Sequence, residues 1–216
     1  MSRPACLPSW TMVALLPAML WAATAAAEPL FDGRTFTGWE GDTTATWRIE
    51  DGVIVAGSLD KRQAKNDFLG TTRRFADFDL KLKVKLAGTE GFVNSGIQFR
   101  SERVPNHHEV RGYQADFGAG HDGGLYDESR RNRFLAKPSA EVLKKASRPG
   151  EWSDYRIRAE GPRIRLWLNG VETVDYTETD PAIPRTGVIA LQIHGNAVAE
   201  VRFKDIAIEE LAAPSP

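Results

Sequence analysis

A chain of 216 residues with 28 basic and 29 acidic side chains is close to neutral. That balance excludes the electrostatic footprint of a nucleic-acid binder or of a protein held to an anionic membrane. The chain is long enough to bury a core without staples, and its one cysteine, Cys6, excludes an intramolecular disulfide framework.

The amino terminus carries one basic residue, Arg3, then an apolar run from Thr11 to Trp21, and closes on Ala25, Ala26 and Ala27. A basic start, an apolar middle and a small-residue end mark a cleavable secretory signal. Pro17 and the shortness of the run argue against a membrane anchor. Residues 1–27 are therefore expected to be removed, the protein to be periplasmic or secreted, and no membrane contact to remain. Cys6 precedes the apolar run, so it cannot serve as a lipoprotein cysteine, and cleavage leaves no thiol. One domain is expected over 28–211, with a frayed tail over 212–216.

Short strands are predicted at 46–49 and 53–56. The segment 78–86 is the clearest: Phe78, Leu80, Leu82, Val84 and Leu86 share one face, and Asp79, Lys81, Lys83 and Lys85 share the other. One face buried and one wet is the pattern of an antiparallel sheet. Strands follow at 95–100 and 112–117. The stretch 118–151 has little strand character: Gly118, Gly120, Gly123 and Gly124 precede a charged run from Asp127 to Arg133. A loop of this length inside a compact domain is usually functional. Tyr126, Phe134 and Trp152 give it anchors, so an ordered flap is expected, with a short helix at 140–146 capped by Ser139. Beyond it come strands at 155–159, 188–194 and 200–209, and a hairpin over 164–174 turning at Asn169-Gly170. Many short strands with turn signals between them indicate an all-β antiparallel β-sandwich or jelly roll.

Alternation also sorts the polar residues. With Ile97 and Phe99 inward, Asn94, Gln98 and Arg100 share the opposite face; Gln114 pairs with Asp116, and Gln192 with His194. A merely solvated face would carry Lys, Glu and Thr. Amides, arginine, aspartate and histidine suit the fixing of sugar hydroxyls, which need paired donors and acceptors. Blander readings stand beside this one: His194 as a structural histidine, Asp116 as the ion-pair partner of Arg100, and Arg130, Arg131 and Arg133 as a solvated cluster. Asp127-Glu128 lacks calcium-loop spacing, and no metalloprotease, serine-hydrolase or phosphate-loop motif occurs. No cofactor is predicted. A divalent metal stays open, since Asp116, Glu128 and His194 offer ligand atoms that no spacing demands.

A set of motifs recurs in order: Leu30-Phe-Asp-Gly-Arg, Gly38-Trp39, Trp47, Asp51-Gly-Val-Ile54, Asn94-Ser-Gly-Ile97, Gly112-Tyr-Gln-Ala-Asp116, Gly124-Leu-Tyr-Asp127, Gly187, Leu191-Gln-Ile-His-Gly195 and Phe203-Lys-Asp-Ile206. From about Pro29 to Leu211 the chain resembles the 3-keto-disaccharide hydrolase domain family. The resemblance implies a concanavalin A-like jelly roll and an oxidised sugar or glycoside as substrate. A C3 ketone acidifies the C2 proton, so a base can form an enediolate, the C1 substituent can leave, and water can add. This route needs one base, one acid and donors for the enediolate oxygen. It does not need the carboxylate pair of ordinary glycosidases. His194 or Asp116 is expected as base, Arg100 beside the enediolate, and Glu128 or Tyr126 as acid once the flap closes. Asn94, Gln98, Gln114, Tyr126, Asp127, Arg131 and Gln192 are the expected substrate contacts. Gln114 departs from the Gly-Tyr-Glu form of the family, which makes Asp116 the main carboxylate of its strand. The competing readings are a non-catalytic carbohydrate-binding module and an ordinary two-carboxylate glycosidase. Against the module stands the lack of aromatic platforms on the three strands.

Overall fold

The computed structural model describes residues 26–212. The expected signal sequence falls almost wholly outside the described residues, as does the tail from 213 on. In chain order come β1 (Glu28–Pro29), β2 (Trp39–Glu40), β3 (Trp47–Glu50), β4 (Val53–Gly57) and β5 (Asp67–Thr71). The longer strands β6 (Phe78–Gly91), β7 (Asn94–Arg103) and β8 (Val110–Gly118) precede the short β9 (Leu125–Glu128) and β10 (Arg133–Ala136). After helix α1 (Ala140–Ala146) come β11 (Ser153–Glu160), β12 (Arg163–Leu168), β13 (Val171–Thr177), β14 (Val188–Ile193) and β15 (Ala197–Glu210).

These strands form two antiparallel sheets. One runs β13-β12-β11-β6-β15-β4-β3, with β1 added against β15, and the other β10-β9-β8-β7-β14-β5-β2. Each presents one apolar face to its partner. From β6, Phe78, Leu80, Leu82 and Val84 enter a common core with Ile97, Phe99, Tyr113 and Leu191 of the other sheet. Phe78 meets Phe99 edge-on at 6.2 Å, and Phe117 meets Tyr155 at 6.4 Å, both across the sandwich. Each such side chain contributes about 1.5–3 kcal/mol on burial. No helix among the described residues is long and apolar enough to cross a membrane.

Local chemistry sets the turns. Asn169 and Gly170 both adopt positive φ, 50° and 79°, which closes β12 onto β13 as the dipeptide predicts. Ser139 Oγ accepts the Val142 N–H at 3.3 Å and starts α1.

Two features differ from the sequence expectation. Strand β5 escapes the alternation test because Phe68 to Thr71 are all buried, which leaves no wet face to mark it. The expected flap is not a lid. β9 pairs with β8 and β10 with β9, so this segment extends the second sheet by two strands, too short for their alternation to stand out beside the charged run.

Candidate active site

The second sheet turns the polar parity of β7, β8, β9 and β14 away from the core. Cross-strand register lines up Tyr126, Gln114 and Gln98 in one row, and Asp116, Gly96 and Gln192 in another. Gly96 is what lets these rows close together. A Cβ there would stand 2.5 Å from Gln114 Cδ, so only glycine allows Gln114 to fold across β7. Gln114 Oε1 then accepts the Gln98 Nε2–H at 2.8 Å. Asn94 Nδ2 donates to Asp116 Oδ1 at 2.6 Å. The turn between β7 and β8 adds Glu109, which accepts from Asn66 at 3.1 Å and lies 3.5 Å from Ser129 Oγ.

Above this face lies a pocket of about 280 Å³, lined by Asn94, Gln114, Asp116, Tyr126, Glu128 and His194, with Phe92, His121 and Phe134 around them. The aromatic rings touch one another along the wall: Phe92 to His194, His121 to Phe134 and Tyr126 to Phe134 are each 4.9 Å apart. Aromatic surface is thus present after all, supplied by a turn, a glycine-rich loop and the added strands. A larger hollow of about 590 Å³ sits on the outside of the other sheet. There Lys83 is tied to Asp154 and Arg156 to Asp79, each at 2.5 Å.

Burial dominates the electrostatics of the smaller pocket. It pushes the Asp116 carboxyl up to about 7, with the Glu128 charge adding to the rise and the Asn94 bond opposing it. Burial likewise lifts Glu128 to about 7, with repulsion from Glu109 behind it. The Gln192 amide lies close enough to lower Glu128 slightly, yet neither of its buried polar atoms makes a hydrogen bond of ordinary geometry. Burial and the charges of Glu128, Asp116 and Asp127 raise the Tyr126 hydroxyl, so it stays a donor. His194 Nδ1 lies 2.7 Å from the Gly195 carbonyl oxygen. A carbonyl only accepts, so Nδ1 carries the proton and Nε2 is left as an acceptor. The site therefore joins two acids that ionise near neutrality with an imidazole acceptor and neutral donors.

Residues 26–209 match the 3-keto-alpha-glucoside-1,2-lyase-like domain. The chain belongs to that family. No curated protein matches it. Among solved structures, a protein from Parabacteroides distasonis ATCC 8503 provisionally assigned as a glycosyl hydrolase is similar at 22% identity and a TM-score of 0.64, over 86% of this chain and 94% of that one. The carbohydrate-binding module CBM66 from Bacillus subtilis is similar at 17% identity and 0.62, over 80% and 96%. A Bacillus subtilis protein with a galectin-like fold follows at 10% identity and 0.59, over 89% and 98%. These likenesses establish the jelly-roll fold.

Within this lyase-like domain, three expected site residues lie elsewhere. Arg100 falls in a bulge between Phe99 and Glu102 with φ at 46°, which breaks the parity that would have aimed it at Asp116. Its guanidinium instead donates to the carbonyls of Ala76 and Gly161 at 2.7 and 2.8 Å and pairs with Asp77 at 2.7 Å. Asp127 stands opposite Tyr113, on the core side of β9, where Arg130 and Arg131 hold it. Arg131 reaches on to Glu178, which also accepts the Tyr113 hydroxyl at 2.7 Å. Both Asp127 and Arg131 are thus part of a buried ion network, not substrate contacts. Gln98 and Gln192 share the polar face but lie beneath the pocket lining.

Tyr126 and Glu128 sit in the sheet itself, so no closure is needed to bring them in. Phe92, His121 and Phe134 are the wall residues that strand parity could not find. For Phe92 the available signal was an apolar side chain after Gly91 in a turn. Asp116, Glu128 and His194 share the pocket without converging: among the described residues no three His, Cys, Asp or Glu side chains are grouped to hold a metal ion.

Proposed function

We propose that this lyase-like domain cleaves glycosidic bonds in 3-keto-glycosides by elimination followed by hydration. The observation that carries the reading is the pair Asp116 and Glu128, one buried and one half-buried carboxyl of a single pocket, both lifted to about 7 and so able to hold or release a proton near neutrality. Asp116 accepts a short bond from an amide donor, which favours its ionised form and suits it to be the base. At Glu128 burial and the repulsion of Glu109 outweigh the nearby Gln192 amide and Ser129 N–H, which favours its protonated form and suits it to be the acid.

Asp116 takes the C2 proton of the ketone, and the C2–H electron pair passes through the enediolate to form the C1–C2 double bond. The C1–O bond breaks, and Glu128 gives its proton to the departing oxygen. Water then adds its hydroxyl at C1 as Glu128 takes back a proton, and Asp116 returns one to C2, so both groups are restored. Tyr126 donates to the enediolate oxygen, and His194 Nε2 accepts from a ring hydroxyl. In keeping with the export signal expected over 1–27, the proposed site of this chemistry is outside the cytoplasm.

A second reading, a carbohydrate-binding module without catalysis, is favoured by the aromatic rings of the pocket wall. One experiment separates the alternatives. The mature protein is incubated with a 3-keto-glucoside and with the unoxidised parent, and aglycone release is followed. Turnover of the ketone alone is the expected result. Release from the parent at a comparable rate would point to two-carboxylate hydrolysis, and binding without turnover of either to a module.

A further inference from the structure

Beside the polar pocket, and sharing Phe92 with it, lies a cleft of about 370 Å³. Its floor is apolar: Leu86 of β6, Val93 just before β7 and Phe117 near the end of β8. Leu143 of α1 and Pro149 close the far side, and Gly118 and Gly120 the near one. Phe92 is 43% exposed, one of two large apolar side chains so exposed among the described residues. An apolar ring held in water at the border between a sugar-sized polar pocket and an apolar cleft marks a recognition surface.

The polar groups of the cleft decide what it can recognise. Asp122 accepts the Gly118 N–H at 2.5 Å and also accepts from the Ser147 hydroxyl. These groups are engaged with one another, and no further polar side chain lines the cleft. A second sugar placed there would give up its hydrogen bonds to water and find few side-chain partners in return. An apolar group loses nothing and covers the floor.

We propose that the cleft receives the leaving-group half of the substrate and selects an apolar, ring-bearing aglycone over a second sugar. The proposal rests on the assignment of the polar pocket to the oxidised sugar ring and extends it to the other side of the scissile bond. Phe92 then stands between the two halves and packs against both.

Calorimetry with unoxidised phenyl glucoside, methyl glucoside and a glucosyl-glucose disaccharide tests this independently of turnover. The phenyl compound is expected to bind about tenfold more tightly or better than the other two. Leu143→Asn, which makes the cleft wall polar, and Leu143→Trp, which narrows the cleft, should each bring the three affinities together. Equal affinities in the wild type, no measurable binding of the phenyl compound, or a preference that survives both variants would overturn the proposal. Failure of the protein to turn over any 3-keto-glycoside would defeat the elimination chemistry and leave this binding result standing.

Discussion

Replacing Asn94 by alanine deletes the 2.6 Å bond from its amide to the Asp116 carboxylate and leaves the remaining lining of the pocket in place. A hydrogen bond to a charged group contributes about 1.5–3 kcal/mol. At about 1.4 kcal/mol per pKa unit, its loss should raise Asp116 by roughly one to two units. Asp116 already stands at about 7. The variant should therefore hold the base ionised in only about 1–10% of molecules at pH 7, against about half in the wild type. The assay is kcat/KM for a 3-keto-glycoside across pH 5 to 10, with carbon-13 titration of the aspartate carboxyls as a readout free of turnover. In the ratio of variant to wild-type activity the acid limb should lie above pH 7, the two proteins converging at high pH, where loss of the Glu128 proton lowers both. An unmoved limb together with an unmoved Asp116 titration would refute the base assignment. A proportional loss at every pH would instead make Asn94 a substrate contact.

Asp116→Asn should abolish turnover and change how stability depends on pH. The folded state holds this proton more tightly than the unfolded chain does, so wild-type stability falls as pH rises from the ordinary aspartate range through about 7. Thermal melts should show the variant gaining on the wild type across that window, by up to about 4 kcal/mol at pH 8, and identical pH slopes would contradict the shift. Arg100→Met removes one partner of a buried ion pair and should cost about 3–5 kcal/mol in denaturant unfolding; a loss of sugar affinity at unchanged stability would return Arg100 to the site. Gly96→Ala drives a methyl to within 2.5 Å of Gln114 Cδ. It should cost about 1–3 kcal/mol of stability and lower sugar affinity in calorimetry, whereas undisturbed binding would remove Gln114 from the recognition face.

How far the sequence could be read depends on where regular alternation persists. β6 is legible because its outer face is wet and its inner face dry over many residues, whereas β5 is buried on both sides and gives no contrast. The same logic governs the site. Asn94, Gln98, Gln114, Asp116 and Gln192 lie in regular stretches of their strands, and parity puts them on one face. Arg100 is only two residues beyond Gln98, but the chain passes through a left-handed residue at that point, and period two fails. Asp127 and Glu128 look interchangeable as neighbours in a charged run. Only the pairing of β9 with β8 separates them, one to the core side and one to the pocket. Phe92 and His121 come from turns, where no periodicity exists to read.

Moving the two arginines out of the pocket strengthens the acid–base reading. An arginine beside Asp116 or Glu128 would favour both carboxylates and remove the protonated acid that the leaving oxygen requires. The outer face of the other sheet shows what such pairing does: there Arg156 brings Asp79 below the ordinary range despite its burial. Neither lysine nor arginine lines the pocket, so burial acts on the carboxyls without a compensating cation, and each remains able to hold a proton near neutrality. Stabilisation of the enediolate then falls to neutral donors, and Tyr126 is suited to it because its raised pKa keeps the phenol protonated through the working range. The acid–base chemistry proposed for this face thus rests on the scarcity of positive charge around one buried and one half-buried acid. The guanidinium expected from alternation alone would have worked against it.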